Sequence, residues 1–248
     1  MDSNNKRVAL VTGATGGLGT AMCRELLKDG YRVVANYRNP KKAEEWLAGI
    51  RAEGLNVDMA EGDVCDFDSM AHMIADIESR IGGIDIVVNN AGITRDGRFS
   101  KMSREDWLAV IDTNLNSAFN VTRNVIEGMI DRKFGRIINI SSVNGQRGQF
   151  GQANYSAAKA GLHGFTKTLA MEVAKYGITV NTISPGYIAT DMVMAVPEKV
   201  RDAIVAQIPV GRLGGTQEVA HLVSFLASDD TSFITGANYS INGGQHVY

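Results

Sequence analysis

Short runs of β-branched and apolar residues alternate in this chain with longer stretches in which apolar residues recur every three or four positions. The first pattern predicts buried strands and the second predicts amphipathic helices. Their alternation is typical of an α/β fold, in which a parallel sheet is covered by helices on both faces. The predicted strands are Val8–Thr12, Arg32–Tyr37, Asn56–Ala60, Ile84–Asn89, Arg136–Ser141, Ile178–Ser184 and Tyr239–Asn242. The predicted helices are Leu18–Asp29, Lys41–Glu53, Ser69–Arg80, Arg104–Asp112, Leu115–Arg132, Tyr155–Tyr176, Glu198–Ala206 and Gln217–Leu226. Predicted helix caps are Ser103, Asp66 and Thr216, and Gly30, Gly82 and Gly177 are predicted to follow helix ends.

The length and charge of the chain limit its class. At 248 residues it suits one α/β domain, so we expect residues 1–248 to form a single domain. A formal net charge of −2 disfavours nucleic acid or an acidic membrane as a partner. Two distant cysteines and four histidines without ligand spacing predict neither a disulfide scaffold nor a metal site. With no apolar stretch suited to a signal or a membrane span, we expect a soluble, cytoplasmic protein.

A glycine-rich turn follows the first predicted strand, with glycines at Gly13, Gly16, Gly17 and Gly19 before a helix. Backbone N–H groups at a helix N-terminus bind the pyrophosphate of a dinucleotide, and glycine lets the backbone approach it closely. The spacing is not the common G-x-G-x-x-G pattern, and a tight turn without a ligand is the alternative interpretation. The context of the following strands favours a dinucleotide.

The end of the second predicted strand bears on the choice of cofactor. The residues from 35 to 39 include no carboxylate to bind the ribose hydroxyl of NAD, but they include Arg38, with Lys41 and Lys42 nearby. A guanidinium can pair with the 2′-phosphate of NADP. We therefore predict NADPH, with a solvated helix start as the alternative interpretation of these charges.

A hydroxyl, a phenol and an amine are predicted to meet at the carboxyl edge of the sheet. Ser142 follows the fifth predicted strand, and Tyr155 and Lys159 lie four residues apart on one helix face. An adjacent ammonium favours the phenolate, so we expect the Tyr155 pKa to be lowered towards neutrality. Ordinary packing and solvation of a helix face is the alternative interpretation of this spacing.

Together these residues make the whole chain resemble the short-chain dehydrogenase/reductase family. The matching motifs are Thr12-Gly13-x-x-x-Gly17-x-Gly19, Asp63-Val64, Asn89-Asn90-Ala91-Gly92, Asn114, the set of Ser142, Tyr155 and Lys159, and Pro185-Gly186 with Thr190. The resemblance implies a Rossmann-type, doubly wound parallel sheet of seven strands in the order 3-2-1-4-5-6-7. It also implies hydride transfer between a nicotinamide and a carbonyl, with Ser142 polarising the carbonyl and Tyr155 delivering the proton. Lys159 would hold the nicotinamide ribose, and Asn114 would position a water in a proton relay. The cofactor-binding residues implied are Thr12, Gly13, Thr15, Gly17, Leu18, Gly19, Arg38, Asp63, Val64, Asn90, Ala91, Gly92, Tyr155, Lys159, Pro185, Gly186, Ile188 and Thr190.

Within that family, the chain resembles bacterial enzymes that reduce 3-oxoacyl thioesters. The segment from 141 to 155 and the one from 184 to 191 imply reduction of acetoacetyl-CoA to (R)-3-hydroxybutanoyl-CoA, as in polyhydroxybutyrate synthesis. Reduction of a 3-oxoacyl group on acyl carrier protein is the alternative, and a regulator that senses NADP without catalysis is a remote one. The predicted substrate-binding residues are Asp96, Ser142, Gln149, Phe150, Gln152, Tyr155, Gly186 and Tyr187. The polar groups among them suit a short, polar thioester, although each side chain could instead satisfy loop backbone.

Two further hypotheses concern the surface. Arg95, Arg98 or Arg147 could meet the phosphates of coenzyme A, with simple solvation as the alternative. Relatives with this pattern form tetramers through the helices at 115–132 and 155–176, so a homotetramer is expected. Ordinary packing on the sheet is the alternative explanation of their apolar residues.

Overall fold

Seven parallel strands form one sheet in the order β3-β2-β1-β4-β5-β6-β7 in a computed structural model that describes residues 6–247. The strands are β1 (Val8–Val11), β2 (Arg32–Tyr37), β3 (Asp58–Glu61), β4 (Ile84–Asn89), β5 (Gly135–Ile140), β6 (Ile178–Pro185) and β7 (Asn238–Ile241). The predicted doubly wound parallel sheet and its strand order are confirmed. The third strand begins two residues later than predicted, at Asp58.

Helices pack on both faces of the sheet. They are α1 (Gly17–Lys28), α2 (Pro40–Ala52), α3 (Phe67–Arg80), α4 (Arg104–Ile111), α5 (Ser117–Arg132), α6 (Val143–Arg147), α7 (Ala153–Val173), α8 (Asp191–Met194), α9 (Glu198–Val205) and α10 (Thr216–Ala227). One apolar core lies under α1 and α10, and a second lies under α3, α5 and the end of α7. All residues of β5 and β6 are buried, and both strands combine apolar residues with polar ones such as Asn139 and Thr182. Within residues 6–247, no helix combines the length and apolar composition needed to cross a membrane.

Side-chain caps begin several helices as the sequence predicts. Ser103 accepts a hydrogen bond from the Asp106 N–H at 3.0 Å, and Asp66 accepts one from the Ser69 N–H at 2.8 Å. The prediction for Thr216 is wrong, because Gly215 is the N-cap and its N–H donates to the Glu218 carboxylate at 2.7 Å. The short helices α6 and α8 were not predicted.

A π-helical turn, Asp112–Asn116, joins α4 to α5. Two separate helices were predicted here, so the predicted break is wrong. Hydroxyls in and just after the turn bond to helix carbonyls: Thr113 Oγ1 donates to Ala109 O at 2.8 Å, and Ser117 Oγ donates to Thr113 O at 2.7 Å. Such turns often lie at functional sites, and this one carries Asn114.

Beneath the carboxyl edge of the sheet, four buried polar residues form a connected set, which we call the polar ladder: Asn89, Asn139, Thr166 and Thr182. Asn89 Nδ2 donates to Asn139 Oδ1 at 2.8 Å, and Asn139 Nδ2 donates to Thr166 Oγ1 at 2.8 Å. The hydroxyls of Thr166 and Thr182 are 2.7 Å apart. The ladder thereby joins β4, β5 and β6 to α7, the helix that carries Tyr155 and Lys159.

Candidate active site

The glycine-rich turn after β1 places the N-terminus of α1 at the carboxyl edge of the sheet. A Cβ at Gly19 would lie 2.3 Å from the carbonyl oxygen of Gly13, so only glycine fits this fold of the chain. Gly13 itself has φ of 60°, in the left-handed region. The N-cap, Gly16, has no side chain to satisfy the first N–H groups, and the first turn contains no acidic residue. These groups fit an anionic ligand such as a pyrophosphate.

Thr12 and Asn90 join the ends of β1 and β4 rather than standing free. Thr12 Oγ1 accepts hydrogen bonds from the N–H groups of Asn90 and Ala91 at 3.0 and 3.1 Å. Asn90 Nδ2 donates to the carbonyl oxygens of Thr12 and Gly13 at 2.9 and 3.2 Å. Of the predicted cofactor residues, these two therefore shape the turn that would carry the ligand.

Arg38 and Asp63 face each other beyond the ends of β2 and β3. The guanidinium Nη1 of Arg38 lies 3.5 Å from Asp63 Oδ2, and 73% of the Arg38 side chain is exposed. Asp63 Oδ1 also accepts a hydrogen bond from the Cys65 N–H at 3.0 Å. Asn39 caps α2 through the Lys42 N–H, so the helix start does not depend on Arg38. An exposed guanidinium in this position suits an anionic group on a ribose.

Ser142 and Tyr155 meet through their hydroxyl groups. Ser142 is the N-cap of α6, where its Oγ accepts from the Asn144 N–H at 3.1 Å, and it also hydrogen-bonds the Tyr155 phenol. Burial raises the pKa of Tyr155 and is the largest influence on it. The bond from Ser142 lowers that pKa, and the negative charge of Asp96 raises it. The prediction of a lowered phenol pKa is therefore wrong, since the loss of solvent dominates.

Lys159 lies behind the phenol on α7. Its Nζ donates to the Ile140 carbonyl oxygen at 2.7 Å and stands 5.7 Å from the centroid of the Tyr155 ring. Burial lowers the pKa of Lys159 to about 8. The amine is thus next to the phenol, as predicted, and its charge is easily lost near neutral pH.

Asn114 and Gly92 enclose a small space beside this amine. Asn114 Nδ2 donates to the carbonyl oxygens of Ile93 and Val110, each at 2.9 Å. Its Oδ1 is buried and has no hydrogen-bond partner in the described part of the chain. A Cβ at Gly92 would lie 2.6 Å from that oxygen and 3.5 Å from Lys159 Nζ. An unpartnered acceptor and an amine donor therefore lie near each other beside Gly92, and the acceptor suits a hydroxyl or a water molecule that can donate to it.

Asp96 and Gln152, both predicted to bind substrate, bind each other. Gln152 Nε2 donates to Asp96 Oδ2 at 2.9 Å, while Gln152 Oε1 accepts from Asn144 Nδ2 at 3.0 Å. These bonds tie the loop after β4 to the segment before α7. Gln149 and Phe150 lie exposed beside this connection, on the wall of a groove.

The segment after β6 closes the other side of the site. Thr190 lies against the glycine-rich turn, with its side chain 3.5 Å from where a Cβ at Gly17 would stand. The Gly186 N–H donates to the Ile241 carbonyl oxygen at 2.9 Å, and Ile188 is buried. The predicted residues after Pro185 are thus brought beside the turn that would hold a pyrophosphate.

Comparison with known proteins agrees with this geometry. A model of the short chain dehydrogenase family matches residues 7–201. The chain belongs to the short-chain dehydrogenase family. It is accordingly an oxidoreductase that uses a nicotinamide cofactor.

Several relatives of this short-chain dehydrogenase match it over nearly their full length. The acetoacetyl-CoA reductase of Cupriavidus necator is 57% identical over 98% of this chain and 99% of its own. The acetoacetyl-CoA reductase of Allochromatium vinosum is 55% identical over the same shares. The 3-oxoacyl-[acyl-carrier-protein] reductase of Pseudomonas aeruginosa is 45% identical over 97% of this chain and 98% of its own.

The structure adds two residues to the site of this short-chain dehydrogenase that the sequence did not reveal. Gln245 Oε1 accepts from the Tyr187 N–H at 3.2 Å, and it lies 2.5 Å from where a Cβ at Gly186 would stand. Asn154 Nδ2 donates to the Arg95 carbonyl oxygen at 3.0 Å and so holds the loop after β4. Gln245 lies outside the motifs, and Asn154 lies within the segment from 141 to 155, but no sequence signal predicted these contacts.

Proposed function

We propose that this protein reduces acetoacetyl-CoA to (R)-3-hydroxybutanoyl-CoA with NADPH. The observation that carries the proposal is the identity of 57% and 55% to two acetoacetyl-CoA reductases, against 45% to the acyl-carrier-protein reductase, over nearly equal shares of the chain. The meeting of Ser142, Tyr155 and Lys159 at one edge of the sheet supports carbonyl reduction.

The choice of NADPH rests on the end of β2. Residues 35–39 contain no carboxylate, whereas Arg38 is exposed just after β2, next to Asp63. A guanidinium binds a phosphate through charge-assisted hydrogen bonds. Arg38 would therefore bind the 2′-phosphate, which NADH lacks.

A bound nicotinamide supplies the hydride, and the side chains of the chain handle the oxygen. The Ser142 hydroxyl orients the substrate carbonyl, and Tyr155 Oη donates its proton to the carbonyl oxygen as negative charge develops there. The raised pKa of Tyr155 keeps the phenol protonated at neutral pH, which a proton donor requires. The Lys159 ammonium stabilises the phenolate that remains. The unpartnered Asn114 Oδ1 would accept a hydrogen bond from a hydroxyl or a water molecule near that ammonium.

The loss of absorbance at 340 nm from NADPH with acetoacetyl-CoA tests this function directly. Tyr155→Phe removes the proton donor and should lower kcat at least about 100-fold, the usual contribution of general acid catalysis. Tyr176→Phe is the matched control, because it makes the same change at the end of the helical segment that carries Tyr155. If Tyr155→Phe turns over at nearly the rate of the unchanged protein, the assigned role is wrong.

The alternative substrate is a 3-oxoacyl group carried by acyl carrier protein. Rates with acetoacetyl-CoA, longer 3-oxoacyl-CoA and acetoacetyl-acyl-carrier-protein at equal concentrations separate the two functions. A higher kcat/KM for the carrier protein would overturn the coenzyme A assignment. Turnover of any of them would exclude a regulator that only binds the cofactor.

Assembly as a cytoplasmic homotetramer belongs to the same proposal. On the outer surface, Phe119 of α5 stacks on Phe67 of α3 with ring centroids 6.0 Å apart, and both rings are partly exposed. On α7, Met171 is almost fully exposed. Apolar groups outside the core suit an interface between subunits. Sedimentation analysis measures the assembly, and a monomer would contradict it.

A further inference from the structure

A groove of about 670 Å³ lies between the loop after β4 and the segment before α7. Its lining includes Arg98, Phe99, Gln149 and Phe150. The two sides are joined by a hydrogen bond from the Gly97 N–H to the Gly151 carbonyl oxygen at 2.8 Å. The bond between Gln152 and Asp96 joins them again next to the reacting groups. Two hydrogen bonds therefore connect the two sides of the groove, one of them next to the candidate active site.

Two aromatic rings in the groove are exposed to an unusual degree. Phe150 is 80% exposed and Phe99 is 73% exposed, although large apolar side chains in a folded protein are mostly covered. The guanidinium carbon of Arg98 lies 5.8 Å from the centroid of the Phe150 ring. Arg98 forms no ion pair with any residue between 6 and 247. The groove thus presents flat apolar faces together with one positive charge that is available to a ligand.

We propose that this groove binds the nucleotide end of coenzyme A, with the adenine stacked on Phe150 and Arg98 next to a phosphate. The inference rests on the proposed function and extends it to the part of the substrate that does not react. Purine rings stack on aromatic side chains, and a guanidinium pairs with phosphate, so the two features of the groove match the two parts of a nucleotide. The nearest carboxylate on these loops, Asp96, is already bound by Gln152.

Binding of the nucleotide would allow the enzyme to discriminate between substrates carried by coenzyme A and substrates carried by acyl carrier protein. Both carriers present the same phosphopantetheine arm, but only coenzyme A ends in adenosine 3′-phosphate. A site for that end favours the free thioester over the protein-bound one, while the reacting carbonyl is identical in both.

The test compares acetoacetyl-CoA with acetoacetyl-pantetheine, which has the same reacting group and lacks the nucleotide. We expect kcat/KM to be at least about tenfold higher for the coenzyme A ester. Phe150→Leu keeps an apolar side chain but removes the ring, and Arg98→Ala removes the charge. Each should reduce the preference for the coenzyme A ester about fivefold or more. Arg98→Lys keeps the charge without the planar group, so its preference for the coenzyme A ester should lie between that of the unchanged protein and that of Arg98→Ala.

Binding is measured independently of turnover by inhibition with adenosine 3′,5′-bisphosphate. It should compete with acetoacetyl-CoA, and its inhibition constant should rise in Phe150→Leu and Arg98→Ala. The control is Arg51→Ala, at an exposed arginine of α2, which should change neither the preference nor the inhibition. Equal kcat/KM for the two thioesters, or variants that lower both equally, would overturn the nucleotide site and leave the reductase function intact. If neither thioester is reduced, the proposed function itself fails.

Discussion

Replacing Gly92 with alanine tests whether the space between Asn114 and Lys159 is needed for catalysis. The backbone of Gly92 lies outside the left-handed region, so alanine can adopt its conformation without strain. The added Cβ would lie 2.6 Å from Asn114 Oδ1, closer than real Cβ atoms come to such an atom. Either the amide of Asn114 or the loop after β4 must then move.

The cost of that movement follows from the contacts of Asn114. Its Nδ2 makes two hydrogen bonds of 2.9 Å, to Ile93 O and Val110 O, so the amide is not a free side-chain end. Loss of both would cost about 1–3 kcal/mol at a net 0.5–1.5 kcal/mol for each bond. In a chain of this size the melting temperature should fall by roughly 2–4 °C for each kcal/mol. Displacement of a reacting group by about 1 Å commonly costs about 100-fold, so we expect kcat to fall about 10- to 100-fold.

The assay is kcat with saturating NADPH and acetoacetyl-CoA, with thermal unfolding measured on the same samples. The matched control is Gly49→Ala in α2, where an added Cβ meets nothing within 4 Å. That change should leave kcat unaltered and stabilise the protein by about 0.5–1 kcal/mol, because alanine favours a helix more than glycine does. A Gly92→Ala protein with kcat within twofold of the unchanged protein would refute the argument.

Three further predictions concern charge and position. Because the pKa of Lys159 is lowered to about 8, its ammonium is lost as the pH rises through that value, and kcat/KM for reduction should fall over the same range. A kcat/KM that stays constant up to pH 9.5 would contradict this prediction. Arg38→Ala should lower kcat/KM for NADPH about 10- to 100-fold, as expected for a lost charge-assisted hydrogen bond, and leave kcat/KM for NADH nearly unchanged. An equal loss for both cofactors would argue against a 2′-phosphate contact. Gln245→Leu removes the acceptor of the Tyr187 N–H and should raise KM for acetoacetyl-CoA several-fold with a smaller change in kcat, whereas an unchanged KM would exclude a positioning role.

Much of the fold could be predicted because buried positions recur with a regular period in the sequence. A strand covered on both faces can be a continuous apolar run, as in β1, and the helices between the strands repeat their apolar residues every three or four positions. The π-helical turn at Asp112–Asn116 produces no periodic pattern of apolar residues from which it could be predicted. Hydroxyls at this turn bond to particular helix carbonyls, and composition does not specify those partners.

The site was predictable where a motif constrains the backbone, as at Gly13 and Gly19, and much less so where it depends on the surroundings. The spacing of Tyr155 and Lys159 gave their proximity, but not the burial that raises one pKa and lowers the other. Gln245 reaches Tyr187 only because the chain after β7 folds back over the segment after β6. Contacts between distant segments of this kind require the folded structure.

The polar ladder makes four positions dependent on one another over the course of evolution. Replacing Asn139 alone with an apolar residue would remove one hydrogen bond each from the Asn89 amide and the Thr166 hydroxyl, which keep their bonds to Thr122 and Thr182, at about 0.5–1.5 kcal/mol for each bond. Replacing all four members together with Thr122, whose hydroxyl accepts from Asn89 Nδ2 at 3.2 Å, by apolar residues of similar shape would be nearly neutral, since both partners of each bond would then be removed. The polar ladder and a fully apolar replacement are thus separated by single mutants that are less stable than either. A lineage that acquired the ladder is expected to keep it, whatever carbonyl compound its active site comes to reduce.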